Sequence, residues 1–310
     1  MSESTAGLRK KITAAGDLQS VVRAMKAVAA SSVGQYEQSV RALDGYYRAV
    51  ELGLGACFRE SGTPFHPLQV SMQANPKKEA DQISALVFGS DQGLVGQFND
   101  VVADFAAREL APFSSKIKLW AVGERVRERL SGMNLAGSFR VATSIQAVTP
   151  LVAQILMKCE KDLNQAEGNE LHLFYNHPTS GSEYIPTSLR LLPLDESWLQ
   201  NIRKLSSSRK ELPQIIGPTG GSAETNTATL RAFIHEYLFI SIFRACAESL
   251  ASENASRLAA MQRADKNIEE LLDDLNGTFH RTRQNNIDEE LFDVVSGFEA
   301  LKGTRAQKKL

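Results

Sequence analysis

TGGSAETNTATLRAFIHEYLFISIFRACAESLASENASRLAAMQRADKNIEELLDDLNGTFHRTRQNNIDEELFDVVSGFEAL (Thr219 to Leu301) contains no proline, and its only glycines after Gly221 are Gly277 and Gly297. As one helix, about 80 residues rising about 1.5 Å each would reach roughly 110–120 Å. That is several times the diameter of a small domain, so most of the stretch has no body of its own to pack on. A second rod must lie beside it, or a hollow partner must surround it. Leu258, Met261, Ala264, Ile268, Leu271, Leu275 and Phe279 step by threes and fours, as do Leu230, Ile234, Leu238, Ile242 and Ala245 upstream. This spacing predicts an apolar seam along one helix face. Between the two sets, ESLASENASRLAA (248–260) holds few large apolar residues, which predicts a narrow seam with polar flanks. Upstream, GPTGGSAET (217–225) supplies helix breakers, then Ser222 or Thr225 as a cap.

All ten prolines lie between Pro64 and Pro218. Proline removes a backbone donor and clashes with the preceding helical turn, so its absence from both ends predicts two long helices around a compact middle. The expected parts are residues 1–63, 64–217 and 218–310. From Leu8 to Leu54 the apolar or small positions Leu8, Ile12, Ala15, Leu18, Val22, Met25, Ala29, Val33, Tyr36, Val40, Leu43, Tyr47, Val50 and Leu54 recur at the period of a left-handed coiled coil. The two terminal helices are expected to pair as a long antiparallel coiled coil, with the last turns of the longer one standing beyond its partner.

The middle alternates between strand and helix patterns. ISALVF (83–88) and Ile117–Val122 read as buried strands, LHLFYN (171–176) and Tyr184–Leu192 as further strands. Helices are expected from Asn99 to Leu110, with Asn99 as cap, from Glu124 to Leu130, and from Thr149–Pro150 to about Leu163. The order implies a Rossmann-like α/β domain with a mostly parallel sheet. Lys204–Lys210, with three consecutive serines, reads as a linker.

The chain's 310 residues are 43% hydrophobic and 23% charged, with a formal net charge of -1. This is soluble composition without the basic surplus that nucleic acid requires. Cys57, Cys159 and Cys246 form no CxxC pair and read as reduced thiols. No apolar run reaches the ~20 residues of a membrane span, and the first residues lack the apolar core of a secretory signal. GSDQGLVGQFN (89–99) sits where phosphate loops occur but has neither GxGxxG nor GK[ST], so a tight strand-to-helix turn satisfied by Ser90 and Asp91 is expected. The five histidines make no metal-ligand spacing, and His172 and His177 read as strand-end residues. No serine or cysteine sits in a nucleophile motif, and the acidic residues of the last helix read as a solvated face. No catalytic, cofactor or metal site is expected.

Three stretches together resemble the gamma subunit of F-type ATP synthases. LRKKITAAGDLQSVVRAMKAVAASS (8–32) is similar to that family's opening helix, FGSDQGLVGQFN (88–99) to its SD-x-GL-x-G turn, and 248–301 to its closing helix, with ASE-x-A-x-R-x-x-AM and then RQ-x-x-I-x-x-E. The resemblance spans both ends and the middle, in order. It implies a coiled coil of the terminal helices, an α/β foot and a mechanical role. The chain would be the central rotor shaft inside a hexamer of alternating alpha and beta subunits, with an epsilon subunit and a c-ring at its foot. It would bind no nucleotide itself and would lie peripherally on the cytoplasmic face of a bacterial inner membrane. Beta-subunit contacts are implied at Arg23, Met25, Arg283, Gln284 and Glu290. A shaft touching three partners in turn is expected to present a polar outer face, since exposed ion pairs are weak, about 0–1 kcal/mol.

The chain departs from the family pattern at uncharged Ser32–Gln35, at Asp288, and at LPQIIGP (212–218) with Gly217 before Pro218. A basic tail with Lys302, Arg305, Lys308 and Lys309, expected to be partly disordered, extends past the usual end. These departures suit a divergent branch, such as an alternative ATPase. Two other readings stand beside the shaft: an α/β phosphate-binding enzyme with helical arms, and a freestanding coiled-coil adaptor.

Overall fold

The computed structural model describes residues 4–60, 82–113, 117–163, 170–179, 183–194, 198, 200–202 and 223–307. The expected linker at Lys204–Lys210, the LPQIIGP segment and Ser222 lie outside the described residues, as do the expected part boundaries near 63 and 217. Two long helices bracket the chain, α1 (Thr5–Glu60) and α5 (Ala223–Gln307). The second is longer than predicted, because Lys302–Gln307 of the basic tail continue it.

Between them run β1 (Ile83–Phe88), α2 (Phe98–Leu110), β2 (Ile117–Val122), α3 (Glu124–Arg129), β3 (Leu135–Phe139), α4 (Ile145–Leu163), β4 (Glu170–Pro178) and β5 (Tyr184–Leu192). The strands form one sheet in the order β3-β2-β1-β4-β5. The first four are mutually parallel and β5 is antiparallel to β4, which gives the Rossmann-like middle. Strand β3 was not expected. Its sequence, LAGSF, has no apolar run, and Gly137 is required where the Trp120 ring comes within 2.6 Å of the place a Cβ would occupy. Helix α4 begins a turn before the predicted Thr149–Pro150 start, so Pro150 lies inside it. Asn99 is not the cap of α2; that position is Gln97, without a side-chain bond.

The chain divides into two compact units, Met1–Val28 with Ala260–Leu310, and Ala29–Ala259. In the larger unit the sheet is covered on both faces, as the two-sided burial of β1 demands. Leu86 and Phe88 of β1 join a core with α4, α5 and the later part of α1. Ile83, Ala85 and Val87 point the other way into a second core with α2 and α3.

The smaller unit is a helix pair. Ala15 and Val22 of α1 pack with Met261 and Ile268 of α5, flanked by Met25, Ala260, Ala264 and Leu272. Along α1 the buried positions Leu8, Ala15, Val22, Ala29, Tyr36 and Val50 keep one heptad phase, the repeat of a coiled-coil seam. In the larger unit Tyr46 bonds Glu236 and Arg244 pairs with Asp44, an order that runs α1 and α5 antiparallel there; in the smaller unit Arg23 and Lys26 pair with Asp265. Two predicted seam residues are not in it. Leu18 and Leu271 are half-exposed, at 54% and 50%, and Leu272 takes the seam position in place of Leu271.

Candidate partner-contact surfaces and the switch-point turn

In an open parallel sheet, ligands bind outside the carboxyl ends of the strands where strand order reverses. Here that point is the end of β1, between β2 and β4, and the glycine-rich turn 89–99 leaves from it. The side chains of Ser90, Asp91 and Asn99 in the turn are engaged within the fold. The Ser90 amide donates to Asn99 Oδ1 at 2.9 Å, Asn99 Nδ2 donates to Ser90 Oγ at 2.8 Å, and Ser90 Oγ donates to the Gln92 carbonyl at 2.8 Å. Asp91 accepts from the Glu124 amide at 3.0 Å and the Val141 amide at 3.1 Å, so a carboxylate already occupies the start of α3. Gly89 has no room for a side chain, because an added Cβ would lie 2.4 Å from that of Val126. Leu94 and Gly96 hold positive φ angles of 64° and 60°. A phosphate brought here would meet the Asp91 carboxylate where a phosphate loop offers free amides. The geometry therefore favours the structural turn over the phosphate site.

The crevice beside the turn is filled by α5. Ser252 Oγ donates to the Asn176 carbonyl at 2.9 Å, Ser256 Oγ donates to the Val95 carbonyl at 2.6 Å, and Asn176 Nδ2 donates to the Phe98 carbonyl at 2.9 Å. Glu248 Oε2 meets His177 Nδ1 at 2.8 Å and Glu248 Oε1 accepts from Arg244 Nε at 2.8 Å. Glu253, buried, pairs with Arg257 Nη2 at 2.6 Å. Burial pushes the Glu253 carboxyl above the usual carboxylate range and nearby Asp91 adds to this, while Arg257 opposes it. Burial likewise pushes the Cys246 thiol up to about 12, so it stays protonated and inert. Every residue from Ala245 to Ser256 is buried. This corrects the expected narrow seam with polar flanks: the flanks lie inside the fold, where Glu248, Ser252 and Ser256 find partners and the Ser249 hydroxyl does not. His177 is likewise more than a strand-end residue, since it braces Glu248.

The residues implied as beta contacts lie on α1 and α5 of the smaller unit. Arg23 Nε bonds Asp265 Oδ1 at 3.1 Å, with its side chain 56% exposed. Met25 is half-buried against the seam. Arg283, Gln284 and Glu290 are all exposed, as is every described side chain from Arg283 to Phe298. Carried on from the Arg23–Asp265 pair along antiparallel helices, the start of α1 at Thr5 meets α5 near residue 283, at about 1.5 Å per residue on each helix. The stretch past that point carries exposed Ile287, Leu291, Phe292, Val294 and Val295. Leu18, Val21 and Val28 form a second exposed apolar line on α1. The outer face is therefore not uniformly polar, contrary to the expectation. Val21 and Val28 fall outside the predicted seam, whereas Leu18 is counted within it and lies on this exposed line instead.

The sequence model of the ATP synthase family matches residues 4–301. The chain belongs to the ATP synthase family. Among its relatives in that family are an ATP synthase gamma chain of Pelotomaculum thermopropionicum, 26% identical over 95% of this chain and 98% of the relative. Another, of Granulibacter bethesdensis, is 28% identical over 96% and 99%. The fold is shared with a chain of the Euglena gracilis mitochondrial ATP synthase, in a structure of its OSCP, F1 and c-ring parts. The TM-score is 0.59 at 16% identity, over 99% of this chain and 96% of that one. It is shared also with a chain from the central stalk and c-ring of the Tetrahymena thermophila enzyme, with a TM-score of 0.52 at 20% identity, over 79% and 99%. Among the described residues of this ATP synthase family chain there is no group of three or more His, Cys, Asp or Glu side chains placed to hold a metal ion. No described helix is long and apolar enough to cross a membrane.

Proposed function

We propose that this gamma-type chain is the central rotor shaft of an F-type ATP synthase, coupling rotation of an ion-driven ring to conformational change at catalytic beta subunits. The observation that carries the reading is the family match over nearly the whole chain, joined to an α5 that runs past α1 with apolar side chains exposed. A shaft of this kind carries no catalytic centre, and the filled switch-point crevice fits that role. Each orientation of an asymmetric shaft favours a different state of the neighbouring subunit, which is a coupling free energy between distant sites.

The surrounding alpha and beta subunits would cover the exposed apolar residues of α5. Arg23, Met25, Arg283, Gln284 and Glu290 are the proposed beta contacts, with Leu18, Val21 and Val28 beside Met25. The three working parts are the helix of residues 1–63, the foot of 64–217 and the helix and tail of 218–310, with the foot meeting an epsilon subunit and a c-ring. Its place is peripheral, on the cytoplasmic face of a bacterial membrane. Mixing the chain with its alpha and beta subunits tests the reading. A complex with one copy of this chain and three of each partner is expected. A chain that only pairs with itself would instead support the coiled-coil adaptor.

A further inference from the structure

Two of the stretches that carry the family resemblance meet in the fold, the turn 89–99 and the α5 segment 248–257. Glu248, Ser252 and Ser256 are spaced by four residues, so they form one row along a single face of α5. Each reaches the α/β domain: Glu248 through His177 of β4, Ser252 through the Asn176 carbonyl of β4, and Ser256 through the Val95 carbonyl of the turn. Asn176 then closes the ring by donating to the Phe98 carbonyl where α2 begins.

Two of the three acceptors are main-chain carbonyls, which have no rotamer by which to swing away. The row sits among small neighbours, Ala247, Ala251 and Ala255, all buried, which let the helix approach closely enough for short hydroxyls to reach those carbonyls. Apolar contact is non-directional and resists separation better than it resists a helix turning about its own axis. Hydrogen bonds are directional, and three in a row resist both turning and sliding.

We infer that the row Glu248, Ser252 and Ser256, seated on the turn 89–99 and the end of β4, is the fastening through which torque passes between the α/β domain and the axle helix. The inference rests on the rotor reading above. It assigns the glycine-rich turn a mechanical role: the turn is a socket whose backbone carbonyl is aimed at α5.

The test uses the whole complex in vesicles, with Ser252→Ala and Ser256→Ala combined in this chain. Three quantities are read: ATP hydrolysis by the detached head, ions pumped per ATP in the vesicle, and the angular spread of a probe fixed to the α/β domain. Hydrolysis by the head is expected to stay at the wild-type rate. Ions pumped per ATP should fall by about twofold or more as two directional bonds are lost, and the angular spread should widen. Ser256→Thr, which keeps the hydroxyl, should stay coupled. Should the double variant fail to fold, each single replacement gives up one bond and carries the same comparison. Unchanged pumping with unchanged angular spread overturns the inference, and so does a fall in head hydrolysis that matches the fall in pumping. A wild-type chain that does not enter a pumping complex overturns the rotor reading itself, and the fastening with it.

Discussion

Two stretches of the same helix invert the usual arrangement of side chains. Between Ala245 and Ser256, α5 is buried all round, yet it carries Glu248, Ser249, Ser252, Glu253, Asn254 and Ser256. Between Arg283 and Phe298 it is exposed all round, yet it carries Ile287, Leu291, Phe292, Val294 and Val295. A buried polar residue and an exposed apolar cluster are the informative departures from the common pattern. In the first stretch Glu248, Ser252, Asn254 and Ser256 bond partners in their own chain, and Glu253 pairs with Arg257, while the Ser249 hydroxyl has no hydrogen-bond partner. The second presents apolar surface of the kind a partner chain covers. One helix thus has an inner segment made for fixed attachment and a later segment made for contact with something else.

Breaking the helix between these regions should have the largest effect. Leu258→Pro removes a backbone donor inside α5 and is expected to cost about 3 kcal/mol or more, read as a lower thermal midpoint and loss of assembly. A matched pair of leucines then sharpens the contrast. Leu250 is 4% exposed and Leu291 is 58% exposed. Leu250→Ala should cost about 2–5 kcal/mol in urea unfolding of the isolated chain, whereas Leu291→Ala should stay within about 0.5 kcal/mol of the wild type. Equal losses at the two positions would mean that the outer stretch is covered by its own chain.

The same contrast explains which parts of the fold were legible. Strands β1, β2 and β5 have the predicted bounds, because continuous or β-branched apolar runs between breakers mark strands directly. β3 carries no such signal: LAGSF is short and small, and the sheet holds it through pairing with β2. Pairing of the terminal helices was readable from spacing, but the phase was ambiguous, since steps of three and four can be chained through Leu18 as readily as around it. Ala15 and Ala29 read as seam positions and are buried, but Leu18, larger than either, is drawn into the same series. The burial of Ala245–Ser256 was not readable, because nothing local in a serine- and alanine-rich helix says that a sheet lies against it. The proposed contacts Arg283, Gln284 and Glu290 came only from the family resemblance; an exposed arginine on a helix has the same pattern whether it faces water or a partner.

A smaller structural effect, with a larger functional one, is expected at those contacts. Arg283→Ala with Gln284→Ala changes two exposed side chains, so the unfolding free energy of the isolated chain should stay within about 0.5 kcal/mol of wild type and its thermal midpoint should barely move. In the assembled complex, loss of the contacts should lower coupled pumping by about two- to tenfold, the range of a modest coupling energy. A large fall in the midpoint would place both residues in the service of the fold.

The smallest effect is expected at Asp265, in the helix pair of the smaller unit. The Lys26 ammonium at 2.8 Å, then the Arg23 guanidinium at 3.1 Å, hold its carboxyl below the ordinary aspartate value of 3.8. A carboxyl with a depressed folded value binds its proton later than the unfolded chain does, so its contribution is fully present at neutral pH. As the pH falls through 3.8 the unfolded chain takes up the proton first, and the contribution drains away down to the lower folded value. The urea midpoint of the wild type should therefore drop more steeply than that of Asp265→Asn across this acid window, while the two run parallel above it. Added salt should narrow the difference, because Arg23 is 56% exposed and screening acts on exposed pairs. Parallel curves across the acid window at low salt would show that the two cations do not hold the carboxylate in solution, and would leave the apolar heptad positions alone to set the register of this pair.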